Sequence, residues 1–489
     1  MRKYGVVFFA LVMIAGLLIA GGVVRFGTST DSLNSDVTSA PDGLRSFYSQ
    51  TLNWKPCNNQ FQCTQVSVPL DYNDPGRKSI TLSVIRLKAD NPIGSLLLNP
   101  GGPGGSGIDY VKVAQYVVSP TLIKHYDIVG FDPRGVGKST PVHCLTAKET
   151  DQFIAADGSP DNQREIQTSI QLSRDFAMAC QEHSSDLYEY VDTVSAARDI
   201  DILRALLGDR KLNWLGKSYG TFLGSTYADL FPTNVGRMVL DGVIDPMLSN
   251  TELSHDQAIG FEDALHRFIT NCFNQTDCPL VGTPEQGYAQ VATFIHRLDE
   301  HPVMLENGRE FTQAMALIGV LGSLYDKQYG WPQLRSDLAD AFAGSFAGLA
   351  ASLDLYISRN PNGTYADNSN DAIAAVNCLD RPDRPTPEQA KATAIQWQSE
   401  APLFGVYTAW STLSCTYWQV PAAGASKQIH AVGSPNILVV GTTHDPATPY
   451  AWAKSLHHQL DNSTLLTFDG DGHTAYMQGS TCVDRFVDQ

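Results

Sequence analysis

"LNWLGKSYGTFLGSTYADLFP", residues 212–232, decides how this chain is read. It opens as an apolar run of strand character and, from about Thr221, turns helical in pattern. Between the two, Gly216-Lys217-Ser218-Tyr219-Gly220 fits G-x-S-x-G. The pattern alone is a weak signal, since an ordinary glycine-rich turn also satisfies it. Its setting sharpens it, because a strand directly before and a helix directly after are what a nucleophile elbow requires. The glycines permit a sharp turn and close packing, leaving the Ser218 hydroxyl exposed at the edge of a sheet.

A serine hydroxyl is a weak nucleophile and needs a general base, itself oriented by a carboxylate. Behind such an elbow the chain order is serine, acid, histidine. "GTTHDPATP" (441–449) carries Asp445 in a turn just past an apolar run, and "FDGDGHTAY" (468–476) carries His473 in the same position after the next. Both fall where loops at the carboxyl ends of parallel strands converge. Of twelve histidines, His473 alone combines that place with the right order. His444 is the rival, but its neighbour Asp445 is better placed as the orienting acid. His457 and His458 lie in a helical pattern.

"NPGGPGGSG" (99–107) contains Gly102-x-Gly104-x-x-Gly107, the spacing of a dinucleotide loop, with Asp132 downstream where a ribose-binding acid is sought. An acyl-transfer serine offers a different use. The oxyanion needs backbone N–H donors, one from Tyr219 and one from the loop after the third strand, which is this glycine stretch. The half-motif "GVGKST" (135–140) is no P-loop, because the glycine it requires at position 132 is Asp132. Neither a nucleotide nor an organic cofactor is expected. Nor is a metal: no C-x-x-C pair exists, and Asp469-Gly-Asp471-Gly lacks the later ligands of a calcium loop.

The remaining runs give the architecture. "ITLSVIRL" (80–87), "SLLLN" (95–99), "YDIVGFD" (126–132), "RMVLDGV" (237–243), "NILVVG" (436–441) and "TLLTFDG" (464–470) join "LNWLG" (212–216) as strands, most of them continuously apolar. "DTVSAARDIDILRALLGD" (192–209) sets Val194, Ala197, Ile200, Leu203 and Leu207 on one helical face, with Asp192 as N-cap and Gly208 as stop. Alternating strands and helices imply an α/β fold with a mostly parallel central sheet. The interval 247–430 breaks the rhythm. It is helical in stretches such as "TQAMALIGVLGSL" and "LADAFAGSFAGLAASLDLY", with "SRNPNGTYADNSND" and "CLDRPDRPTPEQ" as exposed loops. It reads as a helical cap inserted between the sixth and seventh core strands, dividing a core of 46–246 and 431–489.

The N-terminus addresses the compartment. "MRK" precedes an apolar run from Tyr4 to Val24, so 1–24 reads as an export signal or, uncleaved, a membrane anchor. Residues 25–45 read as a linker. Nine cysteines fit an oxidising compartment, with Cys57/Cys63, Cys272/Cys278, Cys144/Cys180 and Cys378/Cys415 as candidate bridges. Sequence leaves the pairing open, buried free thiols being the other reading, and Cys482 is left over. A formal charge of −17 argues against a nucleic-acid partner.

"NPGGPGGSG", "YDIVGFDPRGVGKSTP", "GKSYGT", "VLDGVIDP", "GTTHDPATP", "GDGHTAY" and "CLDRP" together resemble the secreted tripeptidyl/prolyl-type aminopeptidases of the α/β-hydrolase fold, serine peptidases related to proline iminopeptidases. The resemblance runs from Trp54 to Cys482. It implies Ser218 as nucleophile, Asp445 as orienting acid, His473 as base, and Gly102 as the partner of Tyr219 in the oxyanion hole. It also implies peptide substrates with free N-termini, and hence a carboxylate for their ammonium group. Asp380 is the first candidate, with Glu262, Glu252 and Asp263 beside it. Two departures stand out. Relatives continue past "CVDRFVDQ" to a cysteine that would pair with Cys482, and Asn99-Pro100 replaces the His-Gly start of the proline iminopeptidases, which argues against strict proline specificity. The same triad would serve a secreted carboxylesterase, and a silent envelope binding protein is the non-catalytic alternative.

Overall fold

A computed structural model describes residues 40–41, 43–424 and 427–489. The apolar run at 4–24 and most of the linker lie outside the described residues. Within them, no helix is long and apolar enough to cross a membrane.

Among the described residues there are eleven strands: β1 (Lys55–Cys57), β2 (Phe61–Pro69), β3 (Ser79–Leu87), β4 (Ser95–Asn99), β5 (Asp127–Phe131), β6 (Leu212–Lys217), β7 (Val235–Asp241), β8 (Val303–Met304), β9 (Glu310–Phe311), β10 (Ile437–His444) and β11 (Ser463–Asp471). Nine form one sheet in the order β1-β2-β3-β5-β4-β6-β7-β10-β11, while β8 and β9 make a separate two-stranded ribbon. From β5 to β11 every pairing is parallel, and from β1 to β5 through β3 the pairings are antiparallel. β4 and β5 are buried along their whole length, as continuous apolar runs demand. β2 alternates buried with more open positions, because one face of this antiparallel strand is only partly covered.

The helix Thr193–Leu206 begins where Asp192 accepts the Ser195 N–H and ends at a Gly208 of positive φ. The amphipathic face expected of it is too narrow a description, since Asp199, Asp201 and Arg204 are buried as well. Asp199 meets Arg134 with both side chains fully out of solvent, and Asp201 accepts from Tyr48, Tyr227 and Asn234. The buried Asp199–Arg134 pair ties this helix to β2, where Arg134 also donates to Pro69 O, and the Tyr227–Asp201 hydrogen bond ties it to the helix that follows β6.

Between β7 and β10 lie helices from Asn250–Cys272 through Gly405–Ser411. These are the seventh and eighth strands of the large sheet in chain order, against the expected sixth and seventh. The alanine-rich stretch 338–356 is two helices, Gly330–Phe342 and Ala347–Tyr356, broken at Gly344 where φ is +93°. The helices bury their own apolar cluster around Phe268, Trp331 and Phe404, separate from the clusters against the sheet. Disulfides join Cys57–Cys63, Cys144–Cys180, Cys272–Cys278 and Cys378–Cys415, and Cys482 is free and exposed.

Candidate active site

β6 ends at Lys217 and a helix starts at Tyr219, so Ser218 alone makes the turn, at φ 55° and ψ −124°. A non-glycine residue holds that conformation only where its surroundings fix it. Here the Ser218 N–H donates to Asp241 O on β7 (3.0 Å), and its carbonyl accepts from Thr221 N (2.8 Å) and Thr221 Oγ1 (2.6 Å). The flanking glycines are needed for close approach. A Cβ on Gly216 would come 2.2 Å from Gly220 O, and one on Gly220 would come 2.8 Å from Asn99 Oδ1. Ser218 is half-buried, and its hydroxyl makes no hydrogen bond among the described residues.

Asp445 follows β10 and is 3% exposed. Its carboxylate takes His473 Nδ1 on both oxygens, at 2.9 and 3.0 Å. It also accepts the N–H groups of Ala447, Thr448 and Thr474 and the Thr448 hydroxyl. These contacts leave Nδ1 as the protonated nitrogen and Nε2 as the free acceptor. The imidazole lies against Gly242, whose Cβ, if it had one, would be 3.2 Å from His473 Cε1. It is thus one residue from the carbonyl that holds the Ser218 N–H.

The glycine loop faces the same turn. A Cβ on Gly101 would come 2.8 Å from Ser218 Cβ and 3.1 Å from Tyr219 N, so this position admits glycine alone. The Gly101 N–H is used by Asn99 Oδ1 (3.0 Å), whereas the N–H groups of Gly102 and Tyr219 have no acceptor among the described residues. Asp132, the acid a nucleotide reading would have assigned to a ribose, is buried beneath the loop. It accepts from Ser106 Oγ (2.6 Å), Ile108 N (3.2 Å) and Lys138 N (2.7 Å), a structural use that leaves no carboxylate for a sugar.

Residues 94–480 match the model of the alpha/beta hydrolase fold family. This chain is an α/β hydrolase. The serine protease Hip1 of Mycobacterium tuberculosis is 35% identical over 468 residues, covering 90% of this chain and 88% of that protein. Carboxylesterase B of the same organism is 38% identical over 437 residues, covering 87% and 83%. The tripeptidyl aminopeptidase of Streptomyces coelicolor is 30% identical over 466 residues, covering 89% and 83%.

In this α/β hydrolase the helices between β7 and β10 reach the histidine. Tyr325 O accepts the His473 N–H (2.8 Å), and the Tyr325 ring stands edge-on to the imidazole at 5.2 Å, backed by Phe261 and Tyr356. Sequence reasoning missed Tyr325, and no local signal marks it.

Three acids singled out for a substrate ammonium are engaged elsewhere. Asp380, the first candidate, ends the helix Ser369–Asp380 instead of standing in an open loop. It is buried, and it accepts from Thr193 N (2.7 Å) and Thr193 Oγ1 (2.6 Å), whose hydroxyl also meets Tyr219 Oη. Burial raises its pKa to about 7 against the opposing pull of Arg381. Glu262 is buried and pins Tyr288 Oη and the N–H groups of Leu403 and Phe404. Glu252 is exposed and closes the capping box of Ser249 at a helix start. Asp263 keeps an open carboxylate, 3.2 Å from His444 Nδ1 in the residue before Asp445.

Lys217, the elbow residue before Ser218, is 8% exposed. Its ammonium donates to Tyr476 O (2.8 Å) and lies 3.8 Å from Asp241 Oδ2. Burial pushes the lysine down and the aspartate up from their ordinary values, and their mutual attraction opposes both shifts.

Proposed function

We propose that this α/β hydrolase is an exported serine exopeptidase that releases short peptides from free N-termini through an acyl-enzyme on Ser218. One observation carries the reading: a buried Asp445 grips His473 Nδ1 beside an elbow serine whose hydroxyl is unengaged. In the reaction His473 Nε2 takes the Ser218 proton as Oγ bonds to the scissile carbonyl carbon. The carbonyl oxygen gathers the charge and accepts from the N–H groups of Gly102 and Tyr219. His473 then gives its proton to the leaving nitrogen as the C–N bond breaks. Water repeats the cycle on the ester and frees the N-terminal piece.

The peptide substrate and the N-terminal direction are supported by likeness to the tripeptidyl aminopeptidase and to Hip1. With Asp380, Glu262 and Glu252 engaged, Asp263 is the acid of this set left to meet an ammonium group. Export is supported by the four disulfides together with the apolar N-terminal run. The 38% identity to a carboxylesterase favours a second reading in which the same triad cleaves esters.

Matched peptides with free and acetylated N-termini, incubated with the protein and with Ser218→Ala, separate the two by mass spectrometry of the products. Release of short N-terminal pieces from free peptides alone, dependent on Ser218, is the expected result. Ester cleavage with both peptides intact overturns the peptidase reading and leaves the second.

A further inference from the structure

Building on the Ser218 reading, we infer that the buried Lys217–Asp241 pair is the device that positions the general base: it clips the His473 loop to the strand ends that carry the nucleophile. Five successive backbone N–H groups of that loop are all engaged. His473 N reaches Tyr325 O (2.8 Å), Thr474 N reaches Asp445 Oδ2 (3.0 Å), and Ala475 N and Tyr476 N reach Asp241 Oδ1 (2.9 Å) and Oδ2 (3.0 Å). Met477 N reaches Asp484 Oδ1 (2.9 Å). Thr474 and Met477 hold φ of 70° and 63°, so the loop runs through backbone conformations that these contacts must maintain.

Asp241 is the hinge of the arrangement. Its carbonyl accepts the Ser218 N–H while its carboxylate holds the two residues after Thr474, so one residue sets the spacing between nucleophile and base. Lys217 completes it, donating to Tyr476 O from the strand on the other side. Lys217 is the cation beside this buried carboxylate, 3.8 Å from Oδ2, and its attraction adds to the two backbone N–H groups that hold the charge against burial. The other polar groups around the pair are Asp484, Tyr110 and Tyr476, with His473 on the Asp241 side and Asp445 and Tyr325 around the imidazole. Neither Lys217 nor Asp241 is assigned contact with the reacting atoms; both act through the loop and through their charges.

The test uses the full chain and a fluorophosphonate probe, whose reaction with serine requires the base but no known substrate. Labelling rates are followed between about pH 5 and 9 for the unaltered protein, Ser218→Ala, Lys217→Met, Lys217→Gln and Asp241→Asn, with thermal unfolding recorded for each. Lys217→Met and Asp241→Asn are expected to label on the order of 10²-fold more slowly. Lys217→Gln, which keeps a donor for Tyr476 O, is expected to lose less. The pH midpoint of labelling should fall in Asp241→Asn, where an uncompensated positive charge remains. It should rise in both Lys217 variants, where a negative charge remains. Opposite shifts are a readout that a merely structural pair does not give. Folded Lys217 variants with the original rate and midpoint overturn the inference, as do midpoints displaced in the same direction. Should Asp241→Asn not fold, the two Lys217 variants carry the test. Failure of the unaltered protein to label at Ser218 instead removes the nucleophile reading on which the inference rests.

Discussion

Asp445 in the core and Asp380 in the inserted helices are held by the same clasp. Each buried carboxylate takes the N–H of a threonine on one oxygen and the hydroxyl of that threonine on the other, Thr448 for Asp445 and Thr193 for Asp380. The difference lies in what completes the shell. Asp445 adds the Thr474 and Ala447 N–H groups and an imidazole held by its Nδ1. Among the described residues Asp380 adds no such donor, and burial carries its pKa to about 7. On the proposed reading, a carboxylate near the nucleophile becomes an orienting acid only where a partner able to carry a proton joins it. Depth and proximity are not enough.

The largest break in that comparison should come from Asp445→Asn. An amide in this position favours the wrong imidazole tautomer, and labelling of Ser218 by a fluorophosphonate is expected to slow on the order of 10⁴-fold with the fold retained. A loss comparable to a surface substitution would mean that Asp445 and Asp380 play equal parts.

Asp380→Asn should act on stability. The folded pKa of Asp380 lies above its unfolded value, so its protonated form stabilises the fold fully at low pH, and that contribution is lost as pH rises through about 7. The neutral asparagine should remove this loss. Between about pH 4 and 7 the variant is expected to gain on the unaltered protein by up to about 4 kcal/mol, read from denaturant unfolding at each pH. Parallel pH profiles would contradict the burial-driven shift.

Asp471→Asn is the smallest change expected. Asp471 ties β11 to the inserted helices through Arg267 and Lys327. Burial opposes ionisation, but these two hydrogen bonds hold its carboxyl below the usual range. A lowered folded pKa gives stability that is present at neutral pH and lost as pH falls through that value. Because Arg267 is 37% and Lys327 49% exposed, the loss should be about 1 kcal/mol or less and should shrink in high salt.

Legibility in the sequence followed locality. The elbow, the Asp192 cap and the seven apolar runs that became β3–β7, β10 and β11 depend on neighbours within a few residues, and each was readable. β2 was not, since its half-covered antiparallel face breaks the apolar run that marked the others. The meeting of Asp445 with His473 was readable because the chain order of the fold constrains both. Asp241 and Lys217 were not, because their partners lie at Ala475 and Tyr476, more than two hundred residues along the chain. Asp380 was misread for a related reason. Its motif "CLDRP" looks like an open loop, whereas Asp380 closes a helix against Thr193.

Whether Ser218 is the acyl-accepting nucleophile, driven by His473, is tested most directly by intact-mass measurement and peptide mapping after brief exposure to a fluorophosphonate, with His473→Ala alongside. A single adduct on Ser218 in the unaltered protein, and its near-complete loss in the His473 variant, is the expected result. An adduct on another residue, or Ser218 labelling that persists without His473, would contradict it.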